Sequence, residues 1–244
     1  MKTTIKFTLL LISLFSLLVS GFAMDNKKDD KGRDARARAL LVKQVDDGKV
    51  DGLRVKILQY KEGSLWAVDP ATDFKSGDQI KVSFKSNFDG FVYIVNITPG
   101  GKKQILFPLK DGADNRIVKD KVYNLPDGSD VIAFDEEKGV EVLQVYMSRE
   151  RIKVFDEALK NASGEVGASA ENAASELTAK ENQKQGGIAE ESAPVSGIRA
   201  RKIILAPSRD KERENVAIPE DAKGKPAKLS SGDVAVFEIR LKHT

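Results

Sequence analysis

The sequence predicts an all-β fold: an antiparallel β-sandwich with one short helix and a long disordered insert. Three observations carry this reading. Asp73 to Pro108 contains three consecutive strand patterns joined by short polar turns. Roughly eight short strands with turn signals can be counted along the chain, as sandwiches require. Asp233 to Lys242 alternates cleanly after a long low-complexity stretch, and a lone strand there has nothing to pair with unless it returns to the earlier strands.

The first residues read as a secretory leader. Lys2 and Lys6 give a basic start, Phe7 to Val19 is an apolar run broken by Thr8, Ser13 and Ser16, and Gly21-Phe22-Ala23 offers small residues for cleavage after Ala23. The run is shorter than the ~20 residues a spanning helix needs. Residues 1–23 are therefore expected to be a signal peptide, with no membrane span after cleavage and export to the periplasm or the extracellular space. Removing Lys2 and Lys6 leaves 38 of the 40 basic residues against 37 acidic ones, a net charge of +1. Such a charge gives no general attraction to nucleic acid, and none is expected as a partner. The chain has no Cys, which rules out disulfides, thiol nucleophiles and Cys-based metal sites.

Residues 24–39 are dense in Lys, Arg and Asp and read as a disordered charged tail. Folding begins near Leu40. Leu53, Val55 and Ile57 alternate with Arg54 and Lys56, the mark of a half-buried strand. Lys61 to Ser64 is a turn, and Leu65 to Val68 a short strand ended by Asp69-Pro70. Ile80, Val82 and Phe84 alternate with Lys81, Ser83 and Lys85. Asn87 to Gly90 is a turn, where Asp-Gly suits positive φ. Phe91 to Ile97 is apolar on both faces apart from Asn96, as in a central strand; Thr98 to Gly101 reverses the chain and Gln104 to Phe107 pairs back.

Val118 to Leu125 holds another short strand, and Val140 to Met147 is a clear one. Ile152, Phe155 and Leu159 change the period to that of a short amphipathic helix over Arg151 to Asn161. Residues 40–161 form the sandwich core. Residues 162–197 are an Ala, Ser, Glu, Gly and Gln insert, expected to be mostly disordered, with transient helix near Glu171 to Lys180. Residues 198–244 complete the same sandwich: a strand at Ile198 to Leu205, a charged loop from Asp210 to Ser231, and the alternating strand Asp233 to Lys242.

The segment from Phe74 to Pro108 resembles the bacterial family known as domain of unknown function 4384. The resemblance lies in Phe74-x-Ser76-Gly77-Asp78, Ile80 to Phe84, Ser86-Asn87, Asp89-Gly90-Phe91-Val92-Tyr93-Ile94 and Leu106-Phe107-Pro108. Asn115-Arg116-Ile117 and Gly139 to Val145 also fit, so that about half of the mature chain is covered. Phe91 departs from the Tyr more common there. The resemblance implies a small Ig-like sandwich, often joined to envelope-associated modules. It brings no catalytic residues.

Candidate chemistry is sparse. His243 is the only His, and at a terminus expected to fray it lacks the rigid support of a triad base. Gly100-Gly101-Lys102-Lys103 lacks the spacing of a phosphate loop and reads as a hairpin turn. Asp111 to Asn115 lacks the ligand alternation of a calcium loop. Asp135-Glu136-Glu137 is an acidic cluster read as solvated loop. No catalytic, cofactor or metal residues are therefore assigned. Trp66, Phe88 and Asp89 are the candidate partner-binding residues: Trp66 and Phe91 fit a core, and Phe88, in its turn, is the better candidate for exposure. Exposed sheet edges could also recruit an extended peptide.

The function expected is that of an exported, non-catalytic module that binds a protein partner in the cell envelope or outside the cell. One alternative is a carboxylate-based hydrolase such as a glycosidase, with two acids about 5 to 10 Å apart in one pocket. Another is a polyanion-binding protein using Arg199, Arg201, Lys202, Lys102 and Lys103, with binding that weakens steeply in salt.

Overall fold

Alternating apolar residues give strands that must cover one face, and the computed structural model pairs them into two sheets packed face to face. It describes residues 27–162, 168–173, 199–201, 203–207, 213–221 and 223–244; of residues 27–35, 38, 199–201 and 203–207 only the backbone is described. The leader at 1–23 lies outside these residues, as does 174–197 of the insert. The described residues from 38 onward form one compact unit, and those before 38 belong to another.

In the first sheet, β1 (Leu53–Lys61) pairs along its length with β4 (Gln79–Ser86). The other side of β1 is shared by β13 (Asn215–Pro219) and β2 (Ser64–Val68). The far side of β4 is shared by β8 (Val122–Leu125) and β9 (Ile132–Ala133), and β12 (Ile203–Pro207) flanks β13. In the second sheet, β10 (Gly139–Ser148) lies between β5 (Gly90–Ile97) and β14 (Asp233–His243). The outer side of β5 carries β6 (Lys103–Phe107) and β7 (Arg116–Ile117). The outer side of β14 carries β11 (Arg199–Arg201) and β3 (Asp73–Phe74), both parallel to it.

The core lies between the sheets. Val55 and Ile57 of β1 and Val82 and Phe84 of β4 meet Ile94 of β5, Val145 of β10 and Phe237 and Ile239 of β14 in one cluster. The opposite face of the second sheet is also covered. Tyr93, Val95 and Tyr146 pack against Phe155 and Leu159 of helix α2 (Lys153–Asn161), which explains why β5 is apolar on both faces. Tyr93 also caps that helix. Its hydroxyl accepts the Ile152 N–H (3.2 Å) and donates to Asp156 Oδ1 (2.7 Å), where no N-cap side chain does so.

Burial, with the Asp156 bond next, pushes the Tyr93 phenol up to about 12 from an ordinary 10.0. A pKa raised on folding means that the folded state holds its proton longer. The Tyr93 contribution is thus complete below pH 10 and is lost as pH rises through about 12. Tyr93→Phe is expected to cost ~1–3 kcal/mol at neutral pH by leaving the Ile152 N–H unpaired, and to show a shallower loss of stability than the unaltered protein between pH 10 and 12. Urea melts of both across that range check this; parallel slopes would contradict it.

Several expectations need correction. Residues 27–39, read as a disordered tail, belong to helix α1 (Lys27–Asp46). The run Ala35-Arg36-Ala37-Arg38-Ala39-Leu40 is rich in strong helix formers, and the last turns are anchored because Leu41, Val42 and Val45 pack with Val216 and Ile218. The Asp210–Ser231 stretch, read as loop, contains β13 inside a sheet. The single strand expected at 198–205 is two short strands, β11 and β12, in different sheets. Part of the insert read as disordered is ordered: 168–173 pack Ala168, Ala170 and Ala173 into the cluster under α2.

Gly90 does not take positive φ. Its lack of a side chain serves close approach instead, since a Cβ would strike the Ser148 carbonyl oxygen and the Phe88 ring.

Candidate binding groove

The β1–β2 hairpin turns through Glu62 and Gly63, both at positive φ, and residues 60–66 are all exposed. Cross-strand partners share a face, so Leu65 stands beside Tyr60 and Trp66 beside Gln59. Trp66 is 61% exposed, Tyr60 46% and Leu65 41%. Trp66 had the pattern of a core residue, but β2 is an edge strand that pairs only with β1 among the described residues, which leaves its other side open. Burying such aromatic surface is what a partner would gain.

Leu65 also lines a groove of about 660 Å³ along the edge strand β8. Val118 and Val122, 47% and 56% exposed, supply further apolar wall, with Phe107 and Tyr123 alongside. The Tyr123 ring stacks on Phe84 at 5.4 Å and carries the Lys121 ammonium at 5.0 Å. Lys81 is held rigid: it is buried, and its Nζ donates to the carbonyls of Pro126 (2.9 Å) and Gly128 (2.7 Å). Arg116, Asp114 and Asp127 complete a rim of mixed charge.

The other candidate residues lie elsewhere. Phe88, expected to be exposed, is buried with the core, and the Arg149 guanidinium sits 5.2 Å from its ring. It presents no surface to a partner, because the turn folds inward where Ser86 Oγ accepts the Phe88 N–H (3.0 Å). Asp89 is exposed, and its Oδ1 accepts the Lys119 N–H (2.7 Å). Neither lines the groove.

His243 does not fray: it is buried, pairs with Phe74 and lies 5.3 Å from the Phe134 ring. Its Nδ1 donates to the Glu137 carbonyl (2.8 Å), so in the neutral ring Nε2 accepts the Ser76 hydroxyl (3.1 Å). The pair fastens the closing strand to the Lys75–Asp78 turn, where Gly77 takes φ 85° and Asp78 Oδ2 accepts the Lys75 N–H.

Glu141 has its carboxyl raised above the ordinary range, first by burial and then by the nearby charges of Asp135 and Glu137; the Asn96 amide, donating at 2.8 Å, acts against this. Asn115, in the stretch weighed as a calcium loop, is fully buried and donates to the Val92 carbonyl (3.2 Å). Among the described residues no three His, Cys, Asp or Glu side chains are grouped to hold a metal ion, and no helix is long and apolar enough to cross a membrane. Lys202 of the basic set lies outside the described residues, as do the side chains of Arg199 and Arg201.

Residues 73–151 match the family model described as Domain of unknown function (DUF4384). This segment is a DUF4384 domain. No curated protein and no solved structure matches the chain. The DUF4384 segment runs from β3 through β10, so β1 and β14, each inside a sheet, come from outside it.

Within the DUF4384 segment, the residues that carry the resemblance serve the fold. Phe74 stacks on Phe134 at 4.8 Å. Asn87 ties the end of α1 to the sheet by donating to the carbonyls of Val45 (2.7 Å) and Val50 (2.8 Å) and accepting the Gly52 N–H (2.8 Å). The groove residues Leu65, Val118 and Val122 are outside the motif, and sequence reasoning passed over them. Their one signal was an apolar residue in each short, turn-flanked segment.

Proposed function

We propose that this protein is an exported, non-catalytic DUF4384 sandwich that binds a protein partner through the hairpin tip and the β8 groove. The observation that carries the reading is the exposed Leu65 of the hairpin, which lines one groove with the exposed Val118 and Val122. Apolar side chains clustered at a sheet edge are a cost in water that a partner relieves. β8 ends its sheet, so its outer backbone groups are also open to strand addition. The basic start and apolar run at Lys2 to Ala23 support export.

A photo-crosslinking residue at Val122 in the producing cell is expected to capture a protein neighbour. Leu65→Ala should lower that capture several-fold while changing stability by less than ~0.5 kcal/mol, as for an exposed side chain. Capture unchanged by Leu65→Ala, or no captured species, would count against the groove. Sequencing the mature N-terminus tests export separately, with Met24 expected first.

A further inference from the structure

We infer that the outer side of β6 is a second peptide-binding edge. Residues 168–173 occupy it as a stand-in for a partner's extended segment, one with small side chains at alternate positions followed by a carboxylate. This inference is independent of the β8 groove. β6 is the last strand of its sheet, so one row of its backbone groups faces outward. The chain's own segment uses that row. The Ile105 N–H donates to the Ala168 carbonyl (2.9 Å) and the Ala170 N–H to the Lys103 carbonyl (3.1 Å), around an antiparallel bridge between Gln104 and Ser169.

The side chains explain the composition. Ala168, Ala170 and Ala173 are 3%, 0% and 4% exposed and pack with Ile105, Phe155 and Leu159, while Ser169 faces water. Residues 168 and 170 of an extended chain point the same way, so the space between β6 and α2 takes one methyl from each. Glu171 then turns back: its Oε1 accepts the Lys103 N–H (2.9 Å), and its Oε2 lies 4.0 Å from Lys103 Nζ. Alternate small residues and a following acid are thus what this edge selects.

The internal occupant covers only part of the edge. Its pairing is a single bridge, and the continuing edge at Leu106 and Phe107 has no strand on that side among the described residues. An incoming peptide can pair along more of β6 than the chain's own segment does. Besides the contacts of its alanines and Glu171, the internal segment has the advantage of its tether. Only residues 162–167 separate it from the end of α2, and a short tether acts like a millimolar local concentration. A partner must outcompete that concentration or displace the segment.

The test uses the full chain and a fluorescent synthetic peptide with the sequence of residues 166–175, read by anisotropy. The chain carrying Ala168→Asp and Ala170→Asp, which evicts its own segment, is expected to bind the peptide at least about tenfold more tightly than the unaltered chain. A peptide carrying the same two Asp residues should not bind. If the altered chain melts normally and binds no better, the edge takes no peptide and the inference fails. If the altered chain does not fold, the segment is part of the core rather than an occupant, and the inference fails equally. A dimer of the unaltered chain that disappears in the altered one would assign the edge to a second copy instead. Hydrogen exchange on the unaltered chain gives a second reading: the Ile105 and Ala170 amides should exchange at least about a hundredfold faster than those of β10. Equal protection would overturn displacement.

Discussion

A chain ending at Gly232 is expected not to fold, although it keeps the whole DUF4384 segment. The truncation removes β14, which pairs with β10 on one side and with β3 and β11 on the other. It also takes Ala235, Phe237, Ile239 and Leu241 from the core and bares the inner half of a sheet. Burying a Leu, Ile or Phe contributes ~1.5–3 kcal/mol each, and a domain has only ~5–15 kcal/mol of net stability to lose. Loss of those three large side chains and a full ladder exceeds that margin. Far-UV circular dichroism and urea melts of the shortened chain should show no cooperative transition; a cooperative melt would mean that the segment folds without its closing strand.

Asp51→Ala is expected to cost ~1–3 kcal/mol, the range for leaving a buried hydrogen-bonding group unpaired, because the Arg149 side chain is 36% exposed and can be rehydrated. Asp51 is 2% exposed, and both its oxygens accept the Arg149 Nη2 at 2.8 Å. Oδ2 also accepts the Leu229 N–H at 2.8 Å, and Arg149 Nε donates to the Leu229 carbonyl at 2.8 Å. This cluster joins the segment before β1, the residue after β10 and the loop before β14. Without the carboxylate, the Leu229 N–H is left buried and unpaired and the Arg149 guanidinium loses its two contacts to Asp51. Arg149→Lys tests the geometry: an ammonium cannot reproduce the fork, so it should also destabilise, by less. A cost below ~0.5 kcal/mol in the Asp51→Ala urea melt would show that water replaces the pair.

The strands that could be read in the sequence were those with one dry and one wet face. Leu53 to Ile57 and Phe237 to Leu241 alternate because their outward side chains meet solvent. β13 was missed for the opposite reason. Val216, Ala217, Ile218 and Pro219 are all buried, since the end of α1 covers one side and the core the other, so no alternation appears. The helix α1 was missed because its anchor is confined to Leu41, Val42 and Val45, behind a charged run that resembles disorder. Trp66 and His243 were misplaced by arguments from local pattern and from position along the chain. An edge strand open on one side exposes the first, and a parallel pairing with β3 buries the second. The groove was illegible because its walls come from Leu65, Phe107 and Val118 to Leu125, separated in sequence and joined only by the fold.

The return of the closing strand to the early hairpins is tested most directly by disulfide trapping, because the chain has no Cys of its own. Val140 and Lys242 are register partners on β10 and β14, and both are exposed. Facing Cα atoms in an antiparallel pair are ~4.5–5.5 Å apart, within disulfide range. The double variant Val140→Cys, Lys242→Cys should oxidise to an intramolecular disulfide in the folded protein, and Val140→Cys with Arg240→Cys, one step out of register on the same face, should do so far more slowly. Failure of the first pair to close while the protein stays folded, or equal closure of both, would contradict the pairing of β14 with β10.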